Sequence, residues 1–200
     1  MVLASHVIFG AYGFWLPNDP RGSWSDFVGS WELFRFGSAT KTNERRSLAW
    51  RPHNHAARLA AKSALKRQAV QFDDSQRLAI GAGFQSYAQR SGLIIWACSI
   101  MPEHVHLILA RHRLKVEQLV IQLKGRATEQ LVGENRHPFP SQLGIGPPPK
   151  CFARSEWKVY LESDADIQRG IRYVEENPEK EGMPRQTWPF VTPFKGIDFV

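Results

Sequence analysis

"LIIWACSIMPEHVHLILA", residues 93 to 110, decides the fold. Its two apolar runs, 93 to 100 and 103 to 110, are separated by Met101 and Pro102, which predicts two adjacent, mostly buried antiparallel strands. On the second run successive side chains alternate faces. His104 and His106 therefore point the same way, about 6.7 Å apart along the chain, while Val105 and Leu107 point the other. Two imidazoles so arranged can converge on one ion, or can stand as strand histidines with no ligand. Metal binding needs a third group.

Working outward, "HVIFGAYGFWL" (6 to 16) is rich in β-branched and aromatic residues and stops at Pro17, which predicts the first strand. Residues 17 to 52 show no clean period but hold Trp24, Trp31 and Trp50, so they read as a long ordered loop. From about His53 to Arg90 helix-forming residues dominate. Asp73 or Asp74 offers a cap and Gly92 a stop, which predicts two consecutive helices. "KVEQLVIQLKGRATEQLV" (115 to 132) has Val116, Leu119, Leu123 and Ala127 at helical spacing, with Lys124 and Arg126 on the opposite side. A Pro- and Gly-rich loop follows over 133 to 150, then a short strand at "WKVYLES". A last helix is capped by Ser163 or Asp164 and is expected to end at Pro178. The tail from about 183 to 200 reads as an irregular strap carrying Trp188, Phe190 and Phe194.

With 200 residues and 42% hydrophobic content, the chain can bury roughly 70% of its unfolded surface, so one domain over 1 to 200 is expected. No run approaches the roughly 20 apolar residues of a membrane span, and the N-terminus lacks the features of a signal peptide, so a cytoplasmic protein with no membrane partner is expected. Two cysteines, Cys98 and Cys151, are too few for a disulfide framework. A formal charge of +7 favours a polyanionic partner.

In "IRYVEENPEK", Tyr173 and Asn177 are four residues apart and share a helix face. A tyrosine beside a metal-polarised phosphate is a competent nucleophile for phosphodiester exchange, although by periodicity alone a tyrosine placed like Tyr173 is more often ordinary packing.

"MPEHVHLIL" resembles the histidine-hydrophobe-histidine (HUH) motif of the single-tyrosine transposases, and "RYVEENPEKEG" resembles their Tyr…Asn-Pro helix, particularly in the REP-associated group. "AYGFWLPNDPRGSW" is similar to an opening found in the same superfamily. The resemblance implies a ferredoxin-like α+β fold of the IS200-like transposase kind, with helices on one face of an antiparallel sheet. It implies cleavage of single-stranded or hairpin DNA by tyrosine attack, leaving a 5′-phosphotyrosine link and a free 3′-OH, in a transposase or a domesticated relative acting as monomer or homodimer. Carried over by position, His104 and His106 become ligands of a divalent ion and Tyr173 the nucleophile. Asn177 takes the position of a polar ligand on the tyrosine helix. Imidazole nitrogen together with phosphate oxygen suits Mg²⁺ or Mn²⁺. Lys124, Arg126, Arg21, Arg45, Arg46 and Arg51 are candidate nucleic-acid contacts, with Trp24 and Trp50 suited to stacking. The rival from another class is a non-catalytic hairpin DNA- or RNA-binding protein of the same fold.

Overall fold

β3 (His104–Ala110) is buried along almost its whole length and is the strand on which the two faces of the sheet are sorted. Val105, Leu107 and Leu109 enter the larger hydrophobic core, whereas Ile108, two residues on from His106, enters a second core on the opposite face. The computed structural model describes residues 1–42, 44, 51–144 and 146–197. β3 pairs antiparallel with β1 (Ala4–Gly10) and with β2 (Ile95–Ile100), and β1 pairs antiparallel with β4 (Trp157–Leu161), in the order β2-β3-β1-β4. The helices are α1 (His55–Ser63), α2 (Asp74–Ser91), α3 (Val116–Gly133) and α4 (Asp164–Lys180). The chain path β1-α2-β2-β3-α3-β4 with this strand order is the ferredoxin-like α+β arrangement.

Local chemistry explains the element ends. Asp73 accepts the backbone N–H of Gln76 at 2.8 Å, and the Gln76 side chain accepts the backbone N–H of Asp73 at 3.1 Å, which closes a capping box on α2. Gly92, at φ 72°, ends α2 in the left-handed conformation that glycine adopts without steric cost. Ser163 caps α4 by accepting the backbone N–H of Asp166.

Two boundaries and the placing of the helices differ from the sequence reading. β1 ends at Gly10 rather than running to Leu16, because Gly13, at φ 80°, turns the chain. α4 continues through Pro178 to Lys180, so Asn177 keeps a helical position; proline near a helix C-terminus sacrifices one hydrogen bond, and the carbonyls of Asn177 and Pro178 are taken up by the Glu181 N–H. Helices do not sit on one face only. α2 and α3 cover one side of the sheet, while α4 lies across the other, its Ile167 and Val174 packed with Ala4, Ala97, Ile108 and Leu161. Gly170 permits that approach, since a Cβ there would stand 3.0 Å from Ile108 Cδ1.

The segment after Leu16 has a small core of its own, Leu16, Val28 and Leu33 with Ala61 of α1, and a short 3₁₀ turn over Trp31–Phe36. The tail lies along β2, where the Thr192 N–H donates to the Ile95 carbonyl and the Gln186 amide bonds both backbone groups of Ile100. An otherwise open sheet edge is thereby paired. Among the described residues, no helix is long and apolar enough to cross a membrane.

The close approach of α2 to α3 sets a stability test. A Cβ on Gly83 would stand 2.7 Å from Ala127 Cα and from the Arg126 carbonyl oxygen, whereas one on Gly125 meets nothing within 4 Å. Gly83→Ala is expected to cost about 1–3 kcal/mol through forced overpacking, and Gly125→Ala to gain about 0.5–1 kcal/mol through lost unfolded-state entropy. Chemical denaturation of the two variants should move the midpoint in opposite directions.

Candidate active site

The face of the sheet opposite α2 and α3 carries three histidines. In the β1–β3 register Ile8 lies opposite His106 and His6 opposite Ile108, so His6 is the diagonal neighbour of His106 on the same face. His6 Nε2 and His106 Nδ1 are 3.2 Å apart, a hydrogen bond whose donor depends on the tautomer, and the rings stack at 5.5 Å. The His104 ring stands edge-on to His106 at 4.9 Å and is itself stacked on Phe14 at 5.0 Å. α4 brings Tyr173 over this group, its ring centroid 5.6 Å from both His6 and His106. One turn on, Asn177 is buried at 7% exposure. His6, His104, His106, Tyr173 and Asn177 all line one cleft of about 720 Å³.

Burial sets the electrostatics. It pushes His6 down to about 4 and also His104 to about 4, where Glu103 opposes it. His106 is held well below the ordinary imidazole value by burial first and then by its neighbours His104 and His6. All three are neutral at pH 7, and neutral imidazole is the form with a lone pair to give. The Tyr173 phenol is pushed up by burial and by Glu181, against the pull of the Lys180 ammonium, which lies 5.3 Å from its ring centroid.

Two buried atoms on the cleft wall have no partner, His104 Nδ1 and Asn177 Nδ2. Unpaired buried polar atoms are costly, so a group that engages them would be stabilised there. Rotating the Asn177 amide by half a turn exchanges its oxygen for its nitrogen at the same place. His104, His106 and Asn177 thus offer a donor set suited to a weakly held divalent ion with open positions. No group of three or more His, Cys, Asp or Glu side chains among the described residues forms a metal cage.

The basic candidates fare differently. Arg21 lines the cleft but is buried and spent on Asp19, which it grips at 2.8 Å through both Nε and Nη2. Lys124 is a tether rather than a free cation: its Nζ donates to the carbonyls of Ala153 at 3.0 Å and Ser155 at 3.2 Å, and burial pushes it down to about 8 against the pull of Glu156. Arg126 pairs with Glu129 and Arg51 with Glu44. Neither lines the cleft. Arg45, Arg46 and Trp50 lie outside the described residues.

Sequence reasoning missed His6 and Glu181. The signal for His6 was present, since it alternates with buried residues on a strand, but the pairing register that sets it beside His106 is non-local. Glu181 caps the end of α4, with Oε1 3.8 Å from His104 Nε2.

Known proteins resemble the chain in sequence over part of its length and in fold over most of it. Residues 58–141 match the family described as Transposase IS200 like, which bears out the resemblance read in the histidine motif. That segment holds α2, β2, β3 and α3, and so includes His104 and His106 but not α4. Among solved structures, a REP-associated tyrosine transposase bound to a REP hairpin is similar at 13% identity and a TM-score of 0.48, over 100% of this chain and 94% of that one. A candidate transposase from Deinococcus radiodurans R1 is similar at 15% identity and a TM-score of 0.43, over 86% of this chain and 90% of that one. No curated protein matches the chain.

The buried histidines generate a pH prediction. Between the ordinary value of 6.5 and about 4, the unfolded chain binds protons that folded His6 and His104 refuse. Their contribution is therefore complete above pH 6.5 and is lost as pH falls through that window, on the order of 1 kcal/mol per pH unit for each. Urea denaturation should show stability falling from pH 7 to pH 5, and His6→Asn should flatten the slope. Equal stability at the two pH values would contradict the burial of neutral imidazoles.

Proposed function

We propose that this chain is an IS200-like transposase, or a domesticated relative, that cuts single-stranded DNA with Tyr173 and holds the cut strand as a 5′-phosphotyrosine. The observation that carries this reading is the meeting of Tyr173 with His6 and His106, both at 5.6 Å between ring centroids, in a cleft large enough for a nucleotide. The family match over residues 58–141 supports it independently of α4.

The chemistry is an exchange of one phosphodiester for another. The Tyr173 phenol gives its proton to water and its Oη forms a bond to phosphorus; the bond from phosphorus to the 3′-oxygen breaks, and that oxygen takes a proton to become a free hydroxyl. Because ester replaces ester, the 3′-OH can reverse the step. The nearby Lys180 ammonium favours the phenolate that burial disfavours. His104, His106 and the Asn177 amide would hold a divalent ion, which would supply charge neutralisation at the phosphate. His6 fixes the ring of His106: when His106 Nδ1–H donates to His6 Nε2, the Nε2 of His106 is left free to ligate. Two imidazoles favour Mn²⁺ over Mg²⁺ by ligand softness.

Denaturing gels of the protein with labelled, hairpin-bearing single-stranded DNA test this. Wild type with Mn²⁺ should give a covalent band. Tyr173→Phe keeps the ring and should lose the band by at least about a thousandfold while still binding DNA. Chelation and His106→Ala should abolish the band without unfolding the protein. If Tyr173→Phe still forms the adduct, another residue is the nucleophile; if wild type binds such strands but never forms the adduct, the protein is a binder and not an enzyme.

A further inference from the structure

Three tryptophans beside the site belong to none of the hydrophobic cores. Trp96 and Trp188 pack against the two sheet cores, whereas Trp15, Trp24 and Trp157 pack into neither, nor into the small core of Leu16, Val28 and Leu33 that anchors the segment around Trp15 and Trp24. All three remain partly exposed and all line the cleft that holds Tyr173. An indole contributes most when fully buried, so three left partly exposed along one wall, two beside a segment already anchored by other residues and one at the start of β4, have a use other than folding.

They are also held rigidly. Trp15 and Trp24 stack almost parallel, 3° apart with centroids at 5.4 Å. The Arg21 guanidinium lies 4.1 Å from the centroid of the Trp15 ring and is fixed in turn by its bidentate bond to buried Asp19. Trp15 Nε1 donates to the Gly22 carbonyl at 2.7 Å. Trp24 then meets Trp157 at 6.0 Å, and Trp157 meets His6 edge-on at 5.6 Å. Arg21, with its charge spent on Asp19, acts here as a backing plate and not as a phosphate contact.

We infer that Trp24 and Trp157, backed by Trp15 and Arg21, form a stacking platform for one unpaired nucleobase of the DNA strand next to the phosphate that Tyr173 attacks. This rests on the function proposed above and assigns a subsite within it. Rigid aromatic planes bind any base through its π-face, because every base has one, and they lose little entropy in doing so. The platform therefore selects for an unpaired strand, since a base inside a duplex has both faces occupied, and it is tolerant of base identity.

The test uses wild-type protein, Mn²⁺ withheld, and a fluorescein-labelled hairpin strand in which each unpaired nucleotide in turn is made abasic. One position, or two adjacent ones, should weaken binding about 5- to 150-fold, the range one stacked base contributes. Trp24→Ala should weaken the intact strand by a similar factor and should be indifferent to the abasic change at that position. Trp24→Phe, which keeps a ring, should recover part of the loss. A scan in which no abasic position costs more than about twofold overturns the platform. Trp24→Ala binding the intact strand as wild type does so too. If wild type binds the strand, and cuts it once Mn²⁺ is added, but the scan is flat, the platform alone falls; if wild type binds no single strand, the proposed function falls with it.

Discussion

The alternation of β3 constrains everything else in the molecule. One seven-residue strand must present Val105, Leu107 and Leu109 to the core under α2 and α3 and His104, His106 and Ile108 to the other side. A one-residue slip in register would put two imidazoles into that apolar core and three aliphatic chains on the cleft, so the register is fixed by hydrophobic burial and not by the site itself. The histidine-bearing face is thereby specified by residues that never touch it. Because β3 is an inner strand, paired on both edges, its backbone has little freedom to move the histidines relative to each other.

Desolvation is the second constraint. Covering the histidine face with α4 excludes water from His6, His104 and His106 and keeps them uncharged, at a cost that the packing of Ile167, Val174 and Gly170 on the sheet offsets. The same covering brings Tyr173 to the cleft. A Cβ at Gly170 would crowd Ile108 where helix and sheet meet, and burial holds the histidines neutral well below the ordinary imidazole value. Positioning of the proposed nucleophile and tuning of the proposed ligands thus follow from one packing event.

Much of this was legible in the sequence because it is local. The strand pair around Met101 and Pro102, the caps at Asp73 and Ser163, the left-handed stop at Gly92 and the shared face of Tyr173 and Asn177 all depend on spacings of a few residues. What was not legible is non-local. His6 joins the site only through the β1–β3 register, and α4 lies on the far face of the sheet through packing on Ala4, Ala97 and Ile108, all distant from it in sequence. Lys124 shows a helical periodicity that suggests a solvated cation, yet a distant loop supplies the carbonyls of Ala153 and Ser155 that bind it. Pro178 misled because proline stops helices in their interior but is tolerated in a last turn whose carbonyls find other donors.

Among the described residues, Tyr173 on α4 is the tyrosine that faces His6 and His106. The other three tyrosines differ in setting: Tyr12 follows β1 and packs against the larger core, Tyr87 is buried there, and Tyr160, opposite Ser5, is exposed on the face of the sheet turned away from the histidines. Protease digestion and mass spectrometry of protein incubated with a hairpin-bearing single strand and Mn²⁺, followed by nuclease trimming, would locate the nucleotide adduct directly. The account predicts a nucleotide mass on the peptide containing Tyr173; an adduct on Tyr12, Tyr87 or Tyr160, or on no tyrosine while the strand is nonetheless cut, would contradict it.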